Sequence, residues 1–216
     1  MTTAPLLYTY RRCPYAMRAR MALLQAGVAF DAFEIVLRDK PAEMLALSPK
    51  GTVPVLRLPG GQMLEQSMDI MCWAFMETGD AGGWWARAQS AENQALLAAC
   101  DGPFKHHLDR YKYPERFGGG ADLRVHHREQ AVRVLLAPLD AQLQRTGQLG
   151  GDAPCGADLA IFPFVRQFAA VDAGWFEGLD LPALKGWLGE WLSHHLFKAA
   201  MPKLPNDRVQ PFLAIH

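Results

Sequence analysis

The chain has 216 residues, of which 50% are hydrophobic and 20% are charged. This length suits one large domain or two small ones, and the apolar fraction is enough for a sizeable core, so a disordered chain is excluded. The 22 basic and 22 acidic side chains cancel to a net charge of zero, which argues against a dedicated nucleic-acid-binding protein and against attraction to anionic membranes.

The first 78 residues alternate between strand and helix patterns. Strands are predicted at residues 6–10, 30–37, 53–58 and 62–64, and helices at residues 14–26, at residues 41–47 and from Ser67 onward. Pro14 suits the first position of a helix and Gly27 suits the position just after its end. The order β-α-β-α-β-β-α, with a hairpin around residues 59–61, implies a sheet that mixes parallel and antiparallel strands.

The remaining residues predict a linker followed by helices. Residues 79–90 are rich in glycine and small side chains, which is typical of a linker. No strand pattern returns beyond them, and helices are predicted near residues 91–111, 123–145, 155–172 and 181–195. The tail from Lys198 contains several prolines, so we expect it to lie extended over the surface. The sequence thus predicts an α/β domain over residues 1–78 and an all-helical domain over residues 91–216.

Neither an export signal nor a membrane-spanning segment is expected. Arg11 and Arg12 interrupt the N-terminal sequence before an apolar signal region could form, and no apolar run approaches the ~18 residues of a spanning helix. The cysteines form no C-x-x-C pair, so a disulfide framework or a zinc site is not expected. We therefore expect a cytoplasmic protein with reduced thiols, which belong to Cys13, Cys72, Cys100 and Cys155.

Cys13 lies where the first predicted strand ends and the first helix begins. A thiol there is close to unsatisfied backbone N–H groups and to the positive end of the helix dipole, and both favour the thiolate. Cysteines in such positions have pKa values of ~3.5–7.5 instead of ~8.5. Cys13 is therefore either a nucleophile or an inert residue at a helix start, and its location alone leaves both interpretations open. The other three cysteines are expected to be inert, with Cys72 and Cys100 in the core.

Three motifs in the first half carry a family resemblance. They are Cys-Pro-Tyr-Ala at residues 13–16, Gly-Thr-Val-Pro-Val-Leu at residues 51–56 and Glu-Gln-Ser-Met-Asp-Ile at residues 65–70. In this order and spacing they resemble the glutathione transferase family, above all its cysteine-type branches, the omega class and the two-domain bacterial glutaredoxins. The resemblance implies a thioredoxin-like N-terminal domain, an all-α C-terminal domain and glutathione as co-substrate, with no metal.

The resemblance also implies a role for each residue of these motifs. Val53 offers its backbone to the cysteinyl part of glutathione, and the Val53–Pro54 bond is implied to be cis. Ser67 holds the γ-glutamyl carboxylate, a role compatible with that of a plain helix cap. Gln66 stands where the family usually has Glu, and its carbonyl oxygen can still accept from the glutamyl ammonium. Tyr15 is expected at the same site.

A basic residue is expected at the glycyl carboxylate of glutathione. Arg38 follows the second strand, where the omega class carries such a residue, and a guanidinium can hold a carboxylate with two hydrogen bonds. Lys40 and Lys50 are close enough in sequence to take its place. A solvated surface charge is the alternative interpretation of each.

The second half contributes candidates of lower specificity. By analogy with the family, the co-substrate pocket is lined by Phe104, Lys105, Tyr111 and Tyr113, which alternatively form a helix-end cluster on the core. Asp158 is expected to accept a hydrogen bond from the Cys155 backbone as half of a capping box. Histidines occur as neighbours at residues 106–107, 126–127 and 194–195. Adjacent helical side chains point about 100° apart, so these pairs predict no metal site.

The chemistry implied for Cys13 is disulfide exchange. Cys13 would form a mixed disulfide with glutathione, and Ala16 removes the second cysteine of a C-x-x-C motif, so a second glutathione must release the first. The predicted function is a monothiol, glutathione-dependent thioltransferase or reductase, which acts on a small molecule or a protein disulfide by deglutathionylation or by reductive removal of groups from carbon. Two alternatives stay open: a conjugating transferase for electrophilic small molecules, and a non-enzymatic binding or regulatory protein. Homodimers are common in the family, but no residue identifies an interface.

Overall fold

The computed structural model describes residues 4–212, which form two compact units. The first unit consists of Met1–Gly82 together with Ser193–His216, and the second is Gly83–Leu192. The residues after Leu192 therefore belong with the N-terminal unit, whereas the sequence predicted one helical domain over all of residues 91–216.

The first unit is built on a five-stranded mixed sheet. Its strands are β1 (Leu6–Thr9), β2 (Phe30–Glu34), β3 (Val55–Arg57), β4 (Met63–Leu64) and β5 (Gln210–Phe212), in the spatial order β4-β3-β1-β2-β5. β1 pairs in parallel with β2, and the other three pairings are antiparallel. The helices are α1 (Pro14–Gln25), α2 (Ala42–Leu47) and α3 (Ser67–Glu77). The predicted element order through residue 78 and the mixed sheet are confirmed.

The core of this unit lies on both faces of β1. Every residue of this central strand is buried, as expected for a strand that is covered on both sides. Tyr8 packs with Ile35, Met44 and Val55 in one cluster. Helix α1 buries ten of its twelve residues and packs against α3. The close contact between these helices brings their N-terminal ends, which carry the predicted motifs, into the same unit.

The strand β5 corrects the prediction that no strand follows residue 78. Gln210–Phe212 pairs with β2, and Phe212 stacks on Phe30 with 4.8 Å between ring centroids. Pro211 is tolerated because β5 is an edge strand, whose outer side has no ladder to donate to. A strand of three residues is too short to give a periodic signal, and its pairing partner lies about 180 residues away in sequence.

The second unit is helical. Its helices are α4 (Trp84–Ala88), α5 (Ala91–Ala99), α6 (Lys105–Lys112), α7 (Ala121–Ala131), α8 (Ala137–Thr146), α9 (Gly156–Ala169), α10 (Ala173–Glu177) and α11 (Pro182–Ser193), and α12 (His195–Ala199) follows in the first unit. The predicted linker over residues 79–90 thus contains a short helix. Within residues 4–212, none of the helices combines the length and the apolar character that crossing a bilayer requires.

Two of the predicted long helices contain a π-helical segment. Cys100–Phe104 joins α5 to α6, and Val132–Leu136 joins α7 to α8. Pro103 lies inside the first segment, where its missing N–H cannot continue the α-helical hydrogen bonds. After α6, a 3₁₀ turn at Pro114–Phe117 ends the helix where the sequence predicted a break.

Asp158 fixes the start of α9. Its carboxylate is fully buried and accepts hydrogen bonds from the backbone N–H of Cys155 at 2.8 Å, from that of Leu149 at 3.1 Å and from Nε1 of Trp187 at 2.8 Å. The predicted bond from Cys155 is confirmed, and the other two tie the preceding loop and α11 to α9. Burial raises the pKa of Asp158, and these donors oppose that effect.

Candidate functional site

Cys13 stands at the N-terminus of α1 with its sulfur directed toward another loop. Its backbone is extended (φ −77°, ψ 123°), and the side chain does not cap the helix. Its Sγ instead lies 3.7 Å from the carbonyl oxygen of Val53. The residue is partly exposed, and its sulfur faces the segment before β3.

The segment before β3 has two backbone features that shape this surface. The Val53–Pro54 bond is cis, which confirms the prediction. Gly51 has a φ of +61°, and a Cβ there would lie 3.3 Å from Cδ2 of Leu45 and 3.3 Å from Nζ of Lys40. Both the left-handed backbone and the close side chains favour glycine at this position. Lys40 therefore leans toward the loop that carries Val53.

The N-terminus of α3 contains a buried hydroxyl next to a buried cation. Ser67 is the first residue of α3, and its Oγ accepts a hydrogen bond of 3.1 Å from Nη1 of Arg18 on α1. Both residues are buried. Gln66 immediately precedes the helix, has an extended backbone and is exposed. Free N–H groups of a helix start together with a cation make this point suitable for a carboxylate.

Glu65 is held away from the first turn of α3 by other partners. Its carboxylate accepts a short hydrogen bond from the hydroxyl of Ser48 and lies 3.6 Å from Nζ of Lys50. The hydrogen bond from Ser48 is the main cause that lowers the pKa of Glu65, and Lys50 adds to it. The Glu65 carboxylate, one position before Gln66, therefore interacts with the loop between α2 and β3.

Arg20 is a residue of this region that the sequence analysis did not identify. Its guanidinium is completely buried and donates to the carbonyl oxygens of Ala200 at 2.7 Å and Arg11 at 2.8 Å, and to the hydroxyl of Thr9. The signal was present, because Arg20 lies three residues after Met17 and so shares the apolar face of α1. A charged side chain on a buried helical face is rare without partners.

Two acidic or ionisable groups interact with Arg20. Burial lowers the pKa of Arg20 to about 10, while the charges of Glu34 and Cys13 raise it. Arg20 is therefore cationic at neutral pH. Glu34 is half-buried, which raises its pKa, and it accepts a 2.6 Å hydrogen bond from the backbone N–H of Arg11. Because electrostatic coupling is mutual, the Arg20 charge favours the ionised form of Cys13.

Comparison with known proteins agrees with this geometry. The model of the glutathione S-transferase N-terminal domain matches residues 7–80. The probable glutathione S-transferase BZ2 of Zea mays is 28% identical over 88% of this chain and 86% of its own length. Glutathione S-transferase omega-1 of Mus musculus is 35% identical, but over only 31% of this chain and 27% of its own length. Residues 7–80 are thus similar to the N-terminal domain of glutathione S-transferases.

Solved structures give the fold of both units. A glutathione transferase family member from Pseudomonas fluorescens, crystallised with two glutathione molecules bound, superposes with a TM-score of 0.75 at 20% identity and covers 92% of each chain. The two-domain glutathione transferase fold, with a thioredoxin-like N-terminal part and a largely helical remainder, is thereby confirmed. The predicted motif residues Cys13, Val53 and Ser67 all lie in the first unit.

The other N-terminal candidates lie in different surroundings. Tyr15 is half-buried, and the guanidinium carbon of Arg18 lies 5.6 Å from its ring centroid. Arg38 is exposed in the turn after β2, which is bounded by a bridge between Val36 and Asp39. The structure thus places Tyr15 next to the Arg18–Ser67 pair and Arg38 on an open turn.

The four candidates of the second unit divide into buried and accessible pairs. Phe104 and Tyr111 are buried, and both rings pack on Phe168 with centroids 5.7 Å and 5.0 Å away, so they form the core cluster that the sequence offered as the alternative. Lys105 is only partly buried and forms a short ion pair with Asp109. Tyr113 is also partly exposed, with the guanidinium carbon of Arg116 4.0 Å from its ring centroid.

Proposed function

We propose that this chain is a glutathione-dependent thioltransferase in which Cys13 is the nucleophile and forms a mixed disulfide with glutathione. The observation that carries the proposal is the position of the Cys13 sulfur. It belongs to a partly exposed residue, it lies at a helix N-terminus, and it faces the Val53 carbonyl at 3.7 Å. A thiolate is the reactive form of cysteine, and each positive partner of this sulfur favours it.

Two features favour the thiolate of Cys13, and one opposes it. The N-terminal dipole of α1 and the buried charge of Arg20 stabilise a negative sulfur. The contact with the Val53 carbonyl opposes ionisation, because only the protonated thiol can donate to that oxygen. An extended peptide that pairs with the Val53 backbone would take this acceptor for its own N–H. Binding of glutathione would then release the sulfur for reaction.

The remaining candidates supply a cradle for the rest of the tripeptide. The N-terminus of α3, Ser67 and the buried Arg18 suit the γ-glutamyl carboxylate. Gln66, exposed beside them, is placed to accept from the glutamyl ammonium. Tyr15 adjoins Arg18. For the glycyl carboxylate, Lys40 lies close to Gly51, while Arg38 is available from its exposed turn.

The proposed reaction consists of two balanced disulfide exchanges. In the first, the Cys13 thiolate attacks the glutathione sulfur of a mixed disulfide between glutathione and a second thiol. The Cys13–glutathione bond forms, the original S–S bond breaks, and the second thiol leaves as a thiolate and takes up a proton from water. In the second exchange, a free glutathione thiolate attacks the same glutathione sulfur, which yields glutathione disulfide and regenerates the Cys13 thiolate. Ala16 occupies the position where a C-x-x-C motif would have its second, resolving cysteine.

Steady-state turnover with a glutathione mixed disulfide tests this proposal. The substrate is the mixed disulfide of glutathione and mercaptoethanol, and glutathione disulfide production is followed with a coupled reductase. We expect Cys13→Ser to reduce turnover to the uncatalysed rate. Cys72→Ser is the matched control, because Cys72 is also partly exposed but its burial raises its pKa. Full activity of Cys13→Ser would overturn the assignment of the nucleophile.

Conjugation of glutathione to electrophiles is the second candidate function. It is favoured by the match to the Zea mays protein, a probable glutathione S-transferase, which extends over most of both chains. In that case Cys13 or Tyr15 would stand near the glutathione thiol, and Cys13→Ser would keep its activity toward a chloro-aromatic substrate. A chain that binds no glutathione at millimolar concentration in calorimetry would instead be a non-enzymatic protein of this fold. The homodimer and the cytoplasmic location are expectations of the same proposal.

A further inference from the structure

Histidines from two neighbouring helices meet in the second unit. His106 and His107 lie on α6, and His127 lies on α7, which packs along α6. One ring nitrogen from each of the three lies within 4.8 Å of the others. Nδ1 of His107 and Nδ1 of His127 are only 2.7 Å apart. Each adjacent pair taken alone predicts no metal site, but the packing of the two helices joins one histidine of the second pair to both members of the first.

We infer that His106, His107 and His127 form a binding site for one divalent transition-metal ion, with Zn²⁺ as the reference ion. Imidazole nitrogen suits zinc, copper and nickel, whereas magnesium and calcium need oxygen ligands. Three histidines with one further position open to water is a known zinc arrangement. This inference is independent of the proposed function, because it concerns residues of the second unit only.

The geometry requires all three rings to adjust. Ring nitrogens of the group that lie up to 4.8 Å apart must approach one another. Two imidazole nitrogens bound to one tetrahedral Zn²⁺ at about 2.1 Å lie about 3.4 Å from each other. The 2.7 Å between His107 and His127 must therefore widen by about 0.7 Å when the ion enters. His127 is buried, His107 is half-buried and His106 is exposed, so the ion would be anchored from inside and would keep its open position toward solvent.

The state of the rings is compatible with ligation. Metal ions bind neutral imidazole through the lone pair of a ring nitrogen. The 2.7 Å contact between Nδ1 of His107 and Nδ1 of His127 joins one N–H donor to one lone pair. The donating ring would move its proton from Nδ1 to Nε2 through water, so that both Nδ1 lone pairs face the ion and both rings stay neutral.

Arg110 is the competing group. Its Nη1 lies 3.0 Å from Nδ1 of His106, and its guanidinium carbon lies 4.3 Å from the Phe117 ring centroid. Because Arg110 can only donate, that His106 nitrogen accepts, and its lone pair is not available to an ion until Arg110 turns away. We therefore expect Arg110→Met to tighten metal binding. Arg133 is an arginine of the same unit, in the segment between α7 and α8. We expect Arg133→Met to have no comparable effect on metal binding.

Calorimetric titration with ZnCl₂ tests the inference. The full chain is used after removal of any affinity tag, and it carries Cys13→Ser and Cys72→Ser so that accessible thiols do not bind the ion. We expect one equivalent to bind, and His107→Ala to raise the Kd by at least about tenfold. His126→Ala is the matched control, because His126 is the sequence neighbour of His127 and lies outside the three-residue group. Its Kd should stay within about twofold of the parent.

Two further measurements test whether thiolates take part in binding the ion and whether the variants are folded. Co²⁺ in place of Zn²⁺ should give d–d absorption without a thiolate charge-transfer band. If His107→Ala does not fold, His106→Ala at an exposed position carries the same test, and circular dichroism verifies the fold. The inference is overturned if the parent binds no Zn²⁺, if His106→Ala and His107→Ala bind as the parent does, or if His126→Ala loses binding equally.

Discussion

The guanidinium of Arg18 donates a 3.1 Å hydrogen bond to the hydroxyl of Ser67, and both side chains are buried. This bond connects the helix that begins after Cys13 with the helix whose N-terminus is proposed to hold the glutamyl carboxylate. It places a buried positive charge next to the Ser67 hydroxyl. The two ends of the proposed glutathione cradle are therefore joined through α1.

Replacing Ser67 is expected to affect both stability and glutathione binding. In Ser67→Ala the buried Nη1 of Arg18 loses this acceptor, which should lower the free energy of unfolding by about 1–3 kcal/mol. Glutathione affinity should fall as well, because a donor to the carboxylate is lost. Ser67→Thr keeps the hydroxyl and should retain most of both. Urea unfolding and calorimetry with glutathione measure the two effects, and unchanged affinity in Ser67→Ala would remove Ser67 from the site.

Replacing Arg20 is expected to destabilise the first unit and to raise the pKa of Cys13. Arg20→Met leaves Glu34 half-buried without its facing charge and leaves the carbonyls of Ala200 and Arg11 without their donor. The loss of a buried charged partner costs about 3–5 kcal/mol. Titration of the thiol by ultraviolet absorbance should show a higher pKa for Cys13 than in the parent protein.

The control for Arg20 is the neighbouring Arg12. Arg12 is exposed and donates to the hydroxyl of Tyr10 at 2.7 Å. Arg12→Met should change the unfolding free energy by no more than about 0.5 kcal/mol, because solvent screens exposed charges. If Arg12→Met raised the pKa of Cys13 as much as Arg20→Met did, the buried charge would not be the source of the effect.

The cysteines should differ strongly in their rate of alkylation. Burial raises the pKa of Cys155 to about 12, so at pH 7 only about one molecule in 10⁵ carries its thiolate. Cys72 has a raised pKa because of burial and the charge of Asp69. We expect iodoacetamide at pH 7 to label Cys13 first, Cys72 slowly and Cys155 only after unfolding. Peptide mass spectrometry over time measures the order, and faster labelling of Cys72 would contradict it.

The strand β5 should contribute to the stability of the first unit. Phe212 is buried and stacks on Phe30 at 4.8 Å, so Phe212→Ala should lower the free energy of unfolding by about 3–5 kcal/mol. Val209 precedes the strand and is 45% exposed, and Val209→Ala should cost less than about 0.5 kcal/mol. Equal effects of the two substitutions would show that β5 is not packed on β2.

Local motifs predicted the N-terminal unit well, because their signals lie within a few residues. Pro14 marks the start of α1, and the motif around Val53 implied the cis bond that the structure contains. Features that depend on distant partners were not predictable in the same way. The three residues of β5 carry no pattern of their own, and their strand pairing is made with β2, which lies far away in sequence.

Two features that the sequence analysis did not identify, the buried charge of Arg20 and the histidine group, have a different physical origin. The helix predicted over residues 14–26 places Arg20 three residues after Met17, on the apolar face of α1. Its buried charge there requires partners that the local sequence does not specify. Within the sequence, the histidines at residues 106–107 and 126–127 form separate pairs, neither of which predicts a metal site. Their relation depends on the packing of α6 against α7, which helical periodicity within one segment does not specify.

The reaction of Cys13 with glutathione disulfide tests the central claim most directly. The Cys13 thiolate should attack one sulfur, form a Cys13–glutathione disulfide and release one glutathione thiolate. Intact-mass spectrometry should then show one added glutathione, peptide mapping should place it on Cys13, and free glutathione should remove it. An unmodified Cys13 in folded protein, at a glutathione disulfide concentration that modifies Cys72, would contradict the account.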